Sequence, residues 1–352
     1  AICIILSTYM VGLSIGAWLG SKNETKIPPM IKYALCEGLI ALYCVLTPLI
    51  FNIISEVYFS LAKLNLENII YMNILKISLG IIGLIIPTVL MGMTTPILLK
   101  EFKDDGNGLS IAKLYTLNTL GAAIGALLSG YVIIQLLGVK STIYLTVLLN
   151  LLICGFVINK FKKENSDELL NQYVKQFFQE FFIMFRKSEN KINKNYNFYL
   201  STFILFISGI LTMIMETVYT HSLSVVIGNS TYVFSTMLFT FLLGLTLGGN
   251  IGKKIIKNLN QDFKVLSVLE LMLAISITVS YFLIDLVPYY FASFASSNVI
   301  NSFESRELLR FGVCFFIMIL PTIMTGIIYT VSMNVLSLSQ KVFFRKSKLE
   351  ST

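Results

Sequence analysis

The sequence predicts an all-α protein that crosses a membrane many times. Its 352 residues are 55% hydrophobic and 13% charged, with a mean hydropathy of +0.78, whereas about 25% of the residues in soluble domains are charged. The apolar residues form long continuous runs, and most runs reach the roughly 20 residues that a helix needs to span a bilayer. Strands of a membrane β-barrel would alternate in polarity instead, so that class is excluded.

The apolar runs set the expected helices. They lie at 1–20, 33–54, 69–99, 114–138, 141–158, 198–218, 231–252, 265–287 and 308–338. We therefore predict about nine transmembrane helices. The charged stretch 159–197 interrupts them, and we expect it to hold an amphipathic helix on the inner membrane surface. Its apolar face would carry Leu170, Val174, Phe178, Phe181, Phe182 and Phe185.

The basic residues predict the orientation in the membrane. Of the 27 lysines and arginines, 22 fall in one alternating set of loops and in the C-terminal tail. Basic loops stay in the cytoplasm, so we expect an outside N-terminus and a cytoplasmic C-terminus. The net charge of +8 then reflects topology and gives no reason to expect a nucleic-acid partner.

A glycine pattern occurs twice and is the first sign of an internal repeat. Three other features recur in the same order at offsets of 233 or 234 residues: a glutamate, a Pro-Thr pair and a basic residue. Matching landmarks at one offset indicate duplication. The pairs are Gly12, Gly16 and Gly20 with Gly244, Gly248 and Gly252; Glu37 with Glu270; Pro87 with Pro321; and Lys76 with Arg310.

Two copies in the same orientation predict two parallel repeats of the major-facilitator type. The expected organisation is a first repeat at 1–158, a central cytoplasmic loop at 159–197, a second repeat at 198–338 and a basic tail at 339–352. Differences between the halves lead us to expect that the first repeat lacks its opening helix. We expect the second repeat to lack its final helices.

The repeated glycines and prolines favour structural roles. Glycines four residues apart lie on one helix face and let two backbones approach closely. Pro87 and Pro321 break hydrogen bonds inside their helices, as does Pro96. A broken helix at matching positions also points to a binding site in some transporters, so both interpretations stay open.

The polar residues inside apolar runs are the candidates for a substrate site. Glu37, Glu216 and Glu270 would either hold a cationic substrate or a proton, or form structural salt bridges, because a carboxylate in hydrocarbon needs a partner or a cavity. Asn118 would bond across helices or line a cavity. We expect Lys76 and Arg310 to reach the outer interface, with pairing to a carboxylate as the alternative.

No catalytic or metal site is predicted. The five cysteines lie in apolar runs without a Cys-x-x-Cys pair, and His221 is the single histidine. These counts exclude a histidine metal cluster and argue against a histidine-based triad. We expect no cofactor.

Three segments carry a resemblance to a known family. PTVLMGMTTPILLK (87–100), AKLYTLNTLGAAIGALLSGYVIIQLLG (112–138) and the segment 208–252, which begins SGILTMIMETVYTHS, resemble the membrane region of bacterial fused major-facilitator/spermidine-synthase-like proteins. That family carries Tyr-Glu followed by Trp-Thr-Arg in its opening helix. The matching positions here are Met215-Glu216 and Tyr219-Thr220-His221, so the glutamate and threonine are kept.

The resemblance implies a bacterial inner membrane and a link to polyamines. Family members usually add a cytosolic aminopropyltransferase domain, and this sequence shows no glycine-rich turn after a strand that would belong to one. Two hypotheses follow. The chain is a transporter-like module for a small cationic metabolite such as a polyamine, or it is a non-transporting anchor of a spermidine synthase domain that lies outside this sequence.

Overall fold

The structure, a computed structural model, describes residues 2–22, 27–65, 67–101, 108–164, 166–183, 196–258, 263–296 and 302–350. These residues contain ten α-helices and no strand, which confirms the all-α prediction for the described part of the chain. The helices are α1 (Ile2–Lys22), α2 (Pro29–Ala62), α3 (Ile69–Glu101), α4 (Gly108–Leu128), α5 (Ile134–Glu164), α6 (Asp167–Ile183), α7 (Tyr196–Ile227), α8 (Thr231–Asn258), α9 (Phe263–Ser296) and α10 (Phe303–Glu350).

Among the described residues, seven helical stretches are long and apolar enough to cross a membrane. The prediction of about nine transmembrane helices differs from this number in two places. It included a helix at 1–20, which is not among the seven stretches. It also placed two helices within Lys113–Lys163, whereas the seven include this 51-residue stretch once. A straight helix of that length would measure about 76 Å, whereas the hydrocarbon core is about 30 Å thick. Gly138, at φ 75° and ψ 167°, breaks the helix there, but the count of nine stays a prediction.

The chain forms two compact units. Unit 1 comprises Ala1–Gly106 and Leu137–Lys191, and unit 2 comprises Asn107–Leu136 and Ile192–Thr352. Helix α4 therefore groups with α7 to α10, although the predicted first repeat (1–158) included it. The reason is a close approach of α4 to α8. This approach continues into the π-helical segment Ser129–Ile133 after α4, where a Cβ placed on Gly130 would lie 1.9 Å from the Ser235 Oγ.

Helix α6 packs into the core of unit 1. Leu170 and Phe177 are 6% and 0% exposed and join a cluster that includes Leu19, Ile31 and Met93. The predicted apolar face named Phe178, which is 41% exposed, so the face is rotated by one residue at this point. The side chains of Phe181 and Phe182, and residue Phe185, lie outside the described part.

The core of unit 2 lies where α7, α8, α9 and α10 meet. One cluster joins these four helices around Leu223, Met237 and Met318, and a second joins α9 and α10 around Ile328. The predicted tail 339–352 is helical as far as Glu350, because α10 continues through it.

The repeated glycines lie at two closely matched helix crossings. A Cβ on Gly12 would lie 1.9 Å from Thr88 Oγ1 in unit 1, and a Cβ on Gly244 would lie 1.9 Å from Thr322 Oγ1 in unit 2. One turn further, the Cβ of Gly16 would lie 2.0 Å from the Val89 carbonyl oxygen. The corresponding distance from Gly248 to the Ile323 oxygen is 2.1 Å. Real Cβ atoms essentially never make contacts so short, so a side chain at these positions would force the facing helix or its side chains to shift.

The repeated prolines have their missing hydrogen bonds replaced. A proline lacks the N–H that would bond the carbonyl four residues earlier, so Pro87 frees the Gly83 oxygen and Pro321 frees the Ile317 oxygen. The Tyr43 hydroxyl donates to Gly83 O at 2.8 Å, and the Ser280 hydroxyl donates to Ile317 O at 2.8 Å. Each proline helix is therefore satisfied by the helix beside it, as transmembrane prolines require.

Candidate functional site

Glu216 is the most deeply buried of the three predicted carboxylates. It lies on α7, is 6% exposed, and its Oε2 atom has no hydrogen-bond partner among the described residues. Its neighbours Met215 and Tyr219 belong to the apolar core of unit 2. An ionisable group held this way inside a membrane helix is expensive, which is why such residues usually serve a function.

Glu270 lines a cavity between α7 and α9. The cavity has a volume of about 460 Å³ and is lined mainly by apolar side chains, among them Met215, Leu273 and Ile277. Tyr219 also lines it, but Glu216 is not among its lining residues. The structure therefore brings Glu270 and the helix of Glu216 together without placing both carboxylates in this cavity.

Glu37 and Asn118 lie elsewhere. Glu37 is half-buried on α2 of unit 1, where it interacts with the hydroxyl of Tyr33 one turn earlier. Asn118 is exposed on α4 of unit 2. Glu37 therefore has a structural partner within its own helix. Neither residue lines the cavity beside Glu270.

Sequence reasoning missed a second buried carboxylate, Glu307. It is 5% exposed on the first turns of α10 and accepts a hydrogen bond from the guanidinium of Arg310. Arg310 thus pairs with a carboxylate, the alternative that the sequence left open, whereas its counterpart Lys76 is exposed. The signal was available, because Glu and Arg three residues apart lie on one helix face.

The turn before α8 lies beside this ion pair. Gly228 has a positive φ of 107°, and the Arg310 Nη2 atom would lie 3.9 Å from a Cβ at that position. Among the described residues, no group of three or more His, Cys, Asp or Glu side chains is arranged to hold a metal ion. The polar groups of interest in unit 2 are the carboxylates of Glu216, Glu270 and Glu307 and the guanidinium of Arg310.

Comparison with known proteins does not identify this chain. No protein-family model matches the sequence, and no curated protein matches it. The resemblance to spermidine-synthase-like membrane proteins therefore rests on the quoted segments alone.

Proposed function

We propose that this multi-pass membrane protein is a transporter-like module of the spermidine-synthase-like type that moves a small cationic metabolite such as a polyamine. The supporting observation is Glu216, a buried carboxylate with an unbonded oxygen in a membrane-spanning helix. A carboxylate in that position attracts a cation or a proton, because either one removes the cost of a bare charge in hydrocarbon.

The proposal includes the two-repeat architecture. Two features that occur in both units support a duplicated helix pair. They are the close helix crossings at the glycines and the hydroxyl groups that donate to the carbonyls freed by Pro87 and Pro321. In transporters built from repeats, one half moves against the other around a central site. We also propose that the basic loops and the C-terminus face the cytoplasm of a bacterium, on the strength of the charge distribution.

The test is uptake of radiolabelled putrescine and spermidine into proteoliposomes that contain the complete chain. We expect flux with the unaltered protein and a loss of at least about 10-fold with Glu216→Gln, since a charged hydrogen bond is removed from the path. Glu56→Gln makes the same chemical change on an exposed glutamate of α2 and should leave the flux unchanged. Thermal unfolding checks that each variant is folded.

Two results would contradict the proposal. Full flux in the Glu216→Gln variant would remove Glu216 from the path. No flux of either polyamine with the unaltered protein would favour the anchor alternative, in which these helices hold a synthase domain at the membrane. Aminopropyl transfer by a longer product of the same gene would then be the next assay.

A further inference from the structure

A second cavity of unit 2 lies where the end of α4 faces the start of α10. Its volume is about 460 Å³. The lining residues that carry the argument are Leu128, Tyr131, Val132, Glu304, Glu307 and Phe311. None of the predicted site residues is among them, so this cavity is separate from Glu216 and from the cavity beside Glu270.

The π-helical segment Ser129–Ile133 shapes one wall of this cavity. Single π turns inside α-helices are rare and recur at functional sites. The Tyr131 side chain on this segment lies 2.7 Å, hydroxyl to hydroxyl, from Thr236 of α8. Its ring lies 5.3 Å from that of Tyr232, which lies 5.3 Å from the ring of Phe303. The wall is therefore aromatic, and contacts with Thr236 and Tyr232 of α8 fix the position of the Tyr131 side chain.

Glu307 lines this cavity and has one buried carboxylate oxygen without a donor among the described residues. Its Oε1 atom accepts from Arg310, whereas its Oε2 atom has no partner in the described part of the chain, although the side chain is only 6% exposed. A buried acceptor without a donor is destabilising. A ligand that supplies an N–H would satisfy it.

The charges at this cavity favour a cation. Glu304 and Glu307 contribute two negative charges, and Arg310 contributes one positive charge. The remaining walls are apolar or aromatic, and aromatic faces attract cations. A ligand that fits these walls carries one positive nitrogen on an apolar body.

We propose that this cavity binds a primary ammonium group attached to an apolar or aromatic body. The ammonium donates to Glu307 Oε2, and the body lies against Tyr131 and Phe311. A free arylalkylamine and an aminophospholipid, whose acyl chains would supply the apolar body, both present such a primary ammonium group. The proposal does not rest on transport through Glu216.

The experiment is a calorimetric titration of the complete purified chain in detergent with 2-phenylethylammonium. We expect binding that weakens by about 10-fold or more in Glu307→Gln, because a charged hydrogen bond is lost. The N,N,N-trimethyl derivative has the same charge and no N–H, so it should also bind about 10-fold or more weakly. Glu56→Gln, at an exposed position of α2, should bind like the unaltered protein.

A second variant protects the test against misfolding of Glu307→Gln. Leu308 lines the cavity and is 73% exposed, so Leu308→Trp fills the space and leaves the Glu307–Arg310 pair in place. We expect this variant to unfold at an unchanged temperature and to lose binding of 2-phenylethylammonium.

A second experiment, in lipid nanodiscs, distinguishes a lipid headgroup from a free amine as the source of the ammonium. In nanodiscs of phosphatidylglycerol, added phosphatidylethanolamine should raise the unfolding temperature if the ligand is a lipid headgroup, and Glu307→Gln should abolish that rise. Binding of the free amine without a lipid effect assigns the site to a soluble amine. Equal binding of the trimethyl derivative, full binding by Glu307→Gln, or no response in either arm would overturn the proposal.

Discussion

Units 1 and 2 have matching backbone contacts at their glycine crossings, but they differ in the polar side chains at corresponding positions. Helices α1 and α3 cross at Gly16 and Gly92 in unit 1, and α8 and α10 cross at Gly248 and Gly326 in unit 2, with the same neighbours at nearly the same distances. The position that holds Glu307 in unit 2 holds the exposed Asn73 in unit 1, 234 residues earlier.

The glycine crossings that both units share serve helix packing, whereas the buried carboxylates found in unit 2 are the candidates for binding. Close glycine crossings are needed wherever two such helices pack, so both units keep them. A buried carboxylate costs stability, so it persists only where it has a use. Glu216 and Glu307 both belong to unit 2, and we therefore assign the polar chemistry to that unit.

The largest expected effect concerns a helix that only unit 1 has in the described part of the chain. Phe177→Ala removes a ring that is 0% exposed in the core around α6, and we expect a loss of about 3–5 kcal/mol in the free energy of unfolding. Phe178→Ala, at a 41% exposed position, should change it by less than about 0.5 kcal/mol. Chemical denaturation in detergent measures both. Equal losses would mean that α6 is not docked as described.

The glycine crossings should respond equally in the two units. Gly16→Ala and Gly248→Ala each place a Cβ against a backbone oxygen, and we expect each to cost about 3 kcal/mol through separation of the helices. Gly125→Ala, where no atom lies within 4 Å, is the matched control. It should be neutral or stabilising by up to about 1 kcal/mol, because alanine is the better helix former. A tolerated change in one unit alone would break the likeness between them.

Unlike the glycine variants, changes at the paired basic positions should affect the two units unequally. Arg310→Met leaves Glu307 buried without a partner, and we expect a loss of about 2 kcal/mol. This is below the roughly 3–5 kcal/mol of fully buried pairs, because the Arg310 side chain is 29% exposed. Lys76→Met in unit 1 should be close to neutral.

A double variant tests that reasoning about the ion pair. Glu307→Gln combined with Arg310→Met removes the stranded charge, so it should recover most of the stability that Arg310→Met loses, with chemical denaturation in detergent measuring both variants. Failure to recover would mean that Arg310 stabilises unit 2 through its packing rather than through Glu307.

The sequence predicted what depends on period and spacing. Apolar runs predicted an all-α membrane protein, and glycines four residues apart predicted close helix packing, because both signals are local. The grouping of α4 with α8 was missed, because contacts such as that of Gly130, just after α4, with Ser235 join residues 105 positions apart. Glu307 was missed because its burial depends on tertiary packing, which no local pattern encodes. The place of Phe177 was missed because adjacent phenylalanines fit a helical period almost equally well.

The smallest expected effect concerns the freed proline carbonyls, which each unit satisfies with a different residue. Tyr43→Phe and Ser280→Ala each leave one carbonyl without a donor, and we expect losses of about 1 kcal/mol, the net worth of such a bond. Pro321→Ala restores an N–H to the Ile317 carbonyl. The cost of Ser280→Ala should therefore fall towards zero in the Pro321→Ala background, while the cost of Tyr43→Phe should not change. A double-mutant cycle on unfolding free energies measures this coupling. An unchanged cost of Ser280→Ala would show that its hydroxyl does not replace the bond that Pro321 removes.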